Sequence, residues 1–267
     1  MSLPHTHPTY DSYHHPEDIL GQNKSNEDAQ ALDDLIGQSL IAGVLGRVKS
    51  GKEATVYCCE AAPDAGVPLL AAKVYRTRDV RSFSNDAAYN AGRLRQGQRR
   101  ETRAILNKSG FGREQSFDRW VADEYETLSL LHRGGCAVPR PFLRSDRVIV
   151  MEYIGKDAAP APVLASVRLD PSDASRAFAA LMRNVELALA CDRIHGDLSA
   201  YNVLYHDGEI RVIDFPQAVD ARFNPNALEL LERDLANVCG FFARHGINAD
   251  PHRIARGLWG RYIRSEL

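Results

Sequence analysis

Residues 193–215, RIHGDLSAYNVLYHDGEIRVIDF, constrain the fold more tightly than any other stretch of this 267-residue chain. Asp197 is followed five positions later by Asn202. Two short strand-like runs, NVLY and IRVID, flank the turn HDGE, and the second run ends at Asp214. A loop sets the first two side chains within one small volume, and the hairpin returns the chain to present the third. Three oxygen-bearing side chains therefore converge.

Convergent oxygens of this kind suit phosphoryl transfer. The reaction needs a carboxylate beside the incoming nucleophile, supplied by Asp197, and hard oxygen ligands for a phosphate-bridging Mg²⁺, supplied by Asn202 and Asp214. The layout matches a kinase catalytic loop, H-R-D-x-x-x-x-N, with its hairpin and D-F-G metal motif. Partners for it lie in the N-terminal half. LLAAKVY places Lys73 on a strand, aligned with the lysine of V-A-I-K that contacts the α- and β-phosphates. Its carboxylate partner is expected on the helix DRWVADEYETLSLLHRGG, where Trp120, Val121, Tyr125, Leu128 and Leu131 recur near 3–4 spacing. Glu124 is assigned in preference to Asp123 and Glu126 because it falls among the apolar positions. VMEYIG then reads as a hinge, with the backbone of Glu152 to Ile154 on the adenine edge and Met151 lining the pocket behind it.

GRVKSGKEATVY, residues 46–57, comes within one residue of a Walker A loop, with Glu53 where that loop needs Ser or Thr. A Walker loop runs from a strand straight into a helix whose N-terminal amides hold the phosphates, whereas ATVYCCEA reads as a strand. The stretch is better taken as two strands joined by a tight turn over a nucleotide, with Ser50, Gly51 and Lys52 nearest the phosphates.

The rest of the chain fits an α+β, two-lobed organisation. Residues 1–28 are polar, rich in Pro and His, and read as a mobile tail; SNEDAQALDDLIGQSL begins a helix capped by Ser25 or Asn26. AGVLGRVKS, ATVYCCEA and LLAAKVY are expected as three antiparallel strands and RVIVMEYIG as another, giving an N-lobe over 29–153 with one main helix stopped at Gly134. Within it, residues 76–119 carry eleven Lys and Arg against five Asp and Glu, in a chain of net charge −2. They read as a flexible basic insertion, a solvated segment or a face for RNA. DPSDASRAFAALMRNVELALACDR gives a long helix with Pro171 at its start and Asp170 or Ser172 as cap, opening a mostly helical C-lobe over 154–267. No apolar run approaches the ~20 residues of a membrane helix, and the N-terminus lacks the apolar stretch of a secretory signal. Five scattered cysteines without a C-x-x-C pair predict reduced thiols in a cytoplasmic protein.

Taken together, SGKEATVY, AAKVY, HGDLSAYNVLY and VIDFPQAV resemble the RIO kinase family of atypical serine/threonine protein kinases. VPRPF and LLERDLANVCGFFARHGI extend the resemblance to about residues 40–250, and the short N-terminal extension is similar to the subfamily without a winged-helix domain. The resemblance implies a kinase fold lacking the activation segment and peptide-binding platform. It also implies use of ATP with Mg²⁺, or Mn²⁺ in its place, and transfer to protein serine or threonine. Asp214 is further implied as a transient acceptor of the γ-phosphate, as in members that act as ATPase switches on pre-ribosomal particles. Two positions depart from ordinary kinases. Pro216 replaces the last Gly of D-F-G, fixing its own φ and pushing Phe215 toward extended geometry. Gly196 stands where many kinases carry Arg, so no cation is present there to clamp a phosphorylated activation loop.

Two other classes share part of the pattern. H-G-D-L-x-x-x-N also occurs in small-molecule phosphotransferases such as aminoglycoside and choline kinases, which usually need a larger helical lobe than the 53 residues after Asp214 provide. A nucleotide-regulated RNA-binding module would use the basic insertion, but Lys73, Asp197, Asn202 and Asp214 together favour a working active site.

Overall fold

The computed structural model describes residues 26–76 and 110–267. Helix α1 (Asn26–Gly37) places Ala29, Leu32 and Leu35 on one buried face, and Asp28, also buried, accepts the Tyr57 hydroxyl at 3.0 Å. The chain is therefore helical from residue 26, two residues before the expected end of the tail at residue 28; residues 1–25 lie outside the described residues.

Strands β1 (Ile41–Ser50), β2 (Ala54–Ala61), β3 (Leu69–Tyr75), β4 (Pro141–Ser145) and β5 (Val148–Glu152) form one antiparallel sheet in the order β1-β2-β3-β5-β4. The three expected hairpin strands and the strand before the hinge are all present. β4 goes beyond the four strands read from the sequence, and Pro141 is tolerated as the first residue of an edge strand.

Period-two alternation decides what each face of the sheet does. Tyr57, Cys59, Leu70, Ala72, Val74, Val148 and Val150 pack beneath α1. Cys58, Ala71, Lys73 and Tyr75, out of phase with them, face the other way. Lys73 is thus aimed away from α1 by its place in the strand.

Helix α2 (Gly110–Arg133) packs on that second side. Its first ten residues fall inside the segment expected to be a flexible insertion. Phe117, Trp120 and Val121 recur at 3–4 spacing and are buried, and Trp120 stacks edge-on against Tyr75 at 5.0 Å. The helix thus begins at Gly110 and has Phe117 buried within the segment read as the insertion; residues 77–109 lie outside the described residues. The left-handed residue after α2 is Gly135 (φ 77°), not Gly134. Gly134 has another use, since a Cβ there would fall 2.3 Å from Cys191 Sγ.

Beyond β5 the chain makes a small ribbon, β6 (Gly155–Lys156) with β7 (Ala159–Pro160), and enters α3 (Pro171–Ala190). Asp170 caps α3 by accepting from Asp173 N at 2.8 Å, with Pro171 in the first turn. β8 (Arg193–Ile194) pairs with β11 (Val219–Asp220), and between them lies the hairpin β9 (Val203–His206) and β10 (Glu209–Val212). Asp207 and Gly208 both have positive φ, 50° and 82°, as a two-residue hairpin turn with right-handed strand twist requires. Helices α4 (Ala227–Ala243) and α5 (Pro251–Ile263) complete the C-lobe. α4 begins so soon after Asp214 that no long activation segment intervenes. Among the described residues no helix is long and apolar enough to cross a membrane.

Candidate active site

Lys73 Nζ lies 2.7 Å from Glu124 Oε1 and 2.7 Å from Asp214 Oδ1, joining β3, α2 and the segment just after β10 in one ionic cluster. Glu124 is 4% exposed, and its other oxygen accepts the Tyr75 hydroxyl at 2.6 Å. Helix phase makes this choice: Asp123 is half-buried and Glu126 exposed, while Glu124 shares the inward face with Val121 and Leu128. Burial alone would lower the Lys73 pKa, but Asp214 and Glu124 outweigh it and hold the ammonium well above its ordinary value. The same ammonium holds the Asp214 carboxyl below the usual carboxylate range, against the opposing effect of burial.

Asp197 is exposed at the tip of the catalytic loop. Asn202 Nδ2 donates to the Asp197 carbonyl at 2.8 Å and lies 3.4 Å from its Oδ2. With the amide nitrogen committed there, the Asn202 carbonyl oxygen is left as a hard ligand. Asp214 has φ 72°, a left-handed conformation uncommon for a residue with a Cβ and concentrated at functional sites. Phe215 is buried, its ring 5.0 Å from that of His195 and its N–H 3.4 Å from Glu124 Oε1. Among the described residues no group of three or more His, Cys, Asp or Glu could hold a metal by itself, so a cation between Asn202 and Asp214 would need further oxygens from a phosphate or water.

The loop is held from beneath by α4. Asp234, 2% exposed, accepts Gly196 N at 2.8 Å and Leu198 N at 3.0 Å, while Arg233 donates to the Gly196 carbonyl and Asn237 to that of Leu198. Burial raises the Asp234 carboxyl's pKa. Gly196 itself has φ 77°, and a Cβ there would fall 2.3 Å from the Gln217 carbonyl oxygen. The glycine in place of the kinase arginine is thus a steric requirement of this loop.

The turn between β1 and β2 closes with Gly51 N donating to the Ala54 carbonyl at 2.9 Å. Ser50 and Lys52 are exposed beside it, and Ser50 Oγ accepts from Arg76 at 2.7 Å. Glu53 is electrostatically coupled to Asp214, Lys73, Glu124 and Asp197 across the cleft; burial first, then the Asp214 charge, push its carboxyl up to about 7.

A family model described as RIO domain matches residues 55–254. The chain belongs to the RIO domain family. It is 33% identical over 214 residues to serine/threonine-protein kinase RIO1 of Caenorhabditis elegans, covering 80% of this chain and 40% of that protein. It is 36% identical over 206 residues to RIO-type serine/threonine-protein kinase Rio1 of Haloferax volcanii, covering 77% and 65%. The human serine/threonine-protein kinase RIO1 is 32% identical over 216 residues, covering 80% and 35%. The chain thus spans about a third to two thirds of the length of these relatives. In structure, it superimposes with a TM-score of 0.60 and 21% identity on the Rio2 kinase–ADP/Mg²⁺–phosphoaspartate complex from Chaetomium thermophilum, covering 91% of this chain and 77% of that one. That likeness establishes the two-lobed kinase-like fold.

In this RIO domain the cleft-facing residues of the sheet also form an apolar wall. Cys58, Ala71 and Tyr153 cluster with Val48, Val56 and Met151, and Tyr153 OH is anchored to the Ala158 carbonyl at 2.9 Å. Of the hinge residues, Glu152 is tied to Arg140 through both its N–H and its carboxylate, and the Ile154 carbonyl accepts Ala161 N at 2.9 Å. That carbonyl is therefore already engaged. Arg76, Glu53, Asp234 and the Cys58–Tyr153 wall lie around the same cleft and are not among the site residues that the sequence singles out. Asp234 did carry a signal, an acid at an apolar position of α4 in phase with Leu231, Leu235 and Val238.

Proposed function

We propose that this RIO domain is an ATP-dependent phosphotransferase of the serine/threonine protein kinase type. The observation that carries the reading is the Lys73–Glu124–Asp214 cluster, assembled opposite an exposed Asp197 and a committed Asn202. Lys73 would hold the α- and β-phosphates, the Ser50–Gly51–Lys52 turn would cover them, and Met151 with the Glu152–Ile154 backbone would receive the adenine. Asn202 and Asp214 would hold Mg²⁺, both as oxygen donors of the kind that ion prefers. When bound, the cation neutralises charge on the transferring phosphate. Asp197 accepts the proton of the acceptor hydroxyl as the new O–Pγ bond forms and the bond from Pγ to the ADP oxygen breaks.

Asp214 supports a second use of the same site. Lys73 keeps it ionised, yet its side chain is 42% exposed, so one carboxylate oxygen is reachable by the γ-phosphoryl group. Transfer to that oxygen gives an acyl phosphate, and its hydrolysis makes the net reaction ATP to ADP and phosphate. This is the chemistry of an ATPase switch. A protein, ribosomal-particle or RNA partner would meet the basic insertion between β3 and α2.

The test is ATP turnover with Mg²⁺ for the wild type, Asp197→Ala and Asp214→Ala, with acid-stable and acid-labile phosphate measured separately. Both variants should lose turnover by roughly 10²–10⁴. Hydroxylamine-sensitive phosphate should vanish only with Asp214. Unchanged turnover in both variants overturns the site assignment, and transfer confined to small hydroxylated molecules overturns the protein-kinase reading.

A further inference from the structure

β3 serves the phosphate site twice. Lys73 projects from within the strand into the cleft, and Arg76, just past its end, grips the turn between β1 and β2. Both the main chain and the side chain of Arg76 take part. Its N–H donates to the Glu53 carbonyl at 2.9 Å, and one guanidinium nitrogen donates to Ser50 Oγ at 2.7 Å and Thr55 Oγ1 at 3.1 Å. These partners stand on both sides of the turn and at its tip.

Thr55 is 2% exposed, so its hydroxyl needs an internal partner, whereas Ser50 is exposed and could turn freely to solvent. The guanidinium joins the two. A planar fork of fixed N–H donors holds two oxygens in a set geometry, which a freely rotating ammonium does less well.

We propose that Arg76 is a positioning residue of the phosphate turn, fixing Ser50 Oγ and the Ser50–Thr55 backbone in the geometry that receives the triphosphate. The inference rests on the nucleotide reading above and assigns Arg76 a role in it. Its main-chain N–H extends the pairing of β2 with β3, but its guanidinium bonds the side-chain hydroxyls of Ser50 on β1 and Thr55 on β2, the two residues that face each other across the mouth of the turn.

Arg76→Ala and Arg76→Lys in the full chain test this, read by ATP kinetics, by amide hydrogen exchange over residues 50–55 and by thermal melting. Arg76→Ala should raise KM for ATP on the order of tenfold, the scale of a lost hydrogen bond to a charged group. Its kcat should change little, exchange should quicken within the turn and not across the sheet, and Arg76→Lys should recover part of the KM. Unchanged KM and unchanged exchange overturn the proposal. So does destabilisation spread through the whole sheet without recovery by lysine. If the wild type binds no ATP, the nucleotide reading fails by itself, and the exchange arm still decides whether Arg76 orders the turn.

Discussion

Lys73 Nζ and Asp214 Oδ1 stand 2.7 Å apart although 141 residues separate them in sequence. The contact ties the N-terminal sheet to the segment just past the C-terminal hairpin, and Glu124 closes it from α2. Lys73, Glu124 and Asp214 thus form one ionic cluster across both lobes, the feature on which the proposed phosphoryl transfer rests.

Removing the ammonium should be costly twice over. In Lys73→Met the buried Glu124 loses its cation, and breaking a buried pair costs about 3–5 kcal/mol. Turnover should fall by roughly 10²–10³, as for loss of a single stabilising donor at developing charge. The pH dependence has a definite sign. Asp214 is depressed below 3.8 and Lys73 raised above 10.5, so the contribution of the pair is complete between those values. It is lost only as pH falls through the folded value of Asp214 or rises through that of Lys73. Urea unfolding of wild type and variant should therefore give a stability difference that persists from pH 5 to 9 and widens as Glu53, whose ionisation Lys73 favours, loses its proton; a difference that vanishes within this range would contradict the pairing.

Glu53 should behave in the opposite sense. Its folded pKa is about 7 against an ordinary 4.5, so between these values the folded protein binds more protons than the unfolded chain. Stability contributed by this group then falls as pH rises from 4.5 to 7. Glu53→Gln in chelator-treated protein should match the wild type near pH 4, gain on it through pH 5–7 and remain more stable above that. Melting temperatures across a pH series check this, and a difference that does not vary with pH would refute it.

Gly196 should not accept the arginine common at its position in other kinases. A left-handed backbone costs an L-residue about 1–2 kcal/mol, and the added Cβ would collide with the Gln217 carbonyl. The loop cannot yield cheaply, because Asp234 and Arg233 hold both peptide groups of Gly196. Gly196→Arg and Gly196→Ala should both destabilise the protein, and displacement of Asp197 by as little as 1 Å costs on the order of 10²-fold in turnover. Wild-type turnover in Gly196→Ala would show that the loop tolerates the shift.

What was legible in the sequence was whatever depends on local period or spacing. The match of LLAAKVY to V-A-I-K picks out Lys73, the apolar positions around Glu124 favour it over Asp123 and Glu126, and a loop plus hairpin gathers Asp197, Asn202 and Asp214. The missed features depend on contacts between distant segments. Arg76 reads as one more cation of a basic run until Ser50 and Thr55 are seen beside it. Glu53 takes no part in the turn as read from sequence, and only the fold brings it under the influence of the Asp214 charge. β4 lies at the sheet's edge and opens on Pro141, so its short run gives little strand signal of its own.

Asp234 is the support on which the catalytic loop rests, and two substitutions separate its charge from its geometry. Asp234→Ala leaves the buried N–H groups of Gly196 and Leu198 without acceptors, at about 1–3 kcal/mol each. Asp234→Asn keeps one carbonyl oxygen able to accept and removes a carboxylate that burial already disfavours. Stability and turnover should both rank wild type above Asn and Asn above Ala. Turnover should fall further than the loss of folded protein explains, because the same two N–H groups bracket Asp197. Denaturant unfolding and ATP turnover, measured where each variant is more than nine-tenths folded, decide it. Equal turnover in folded Asp234→Ala and wild type would mean that the loop holds its shape without α4.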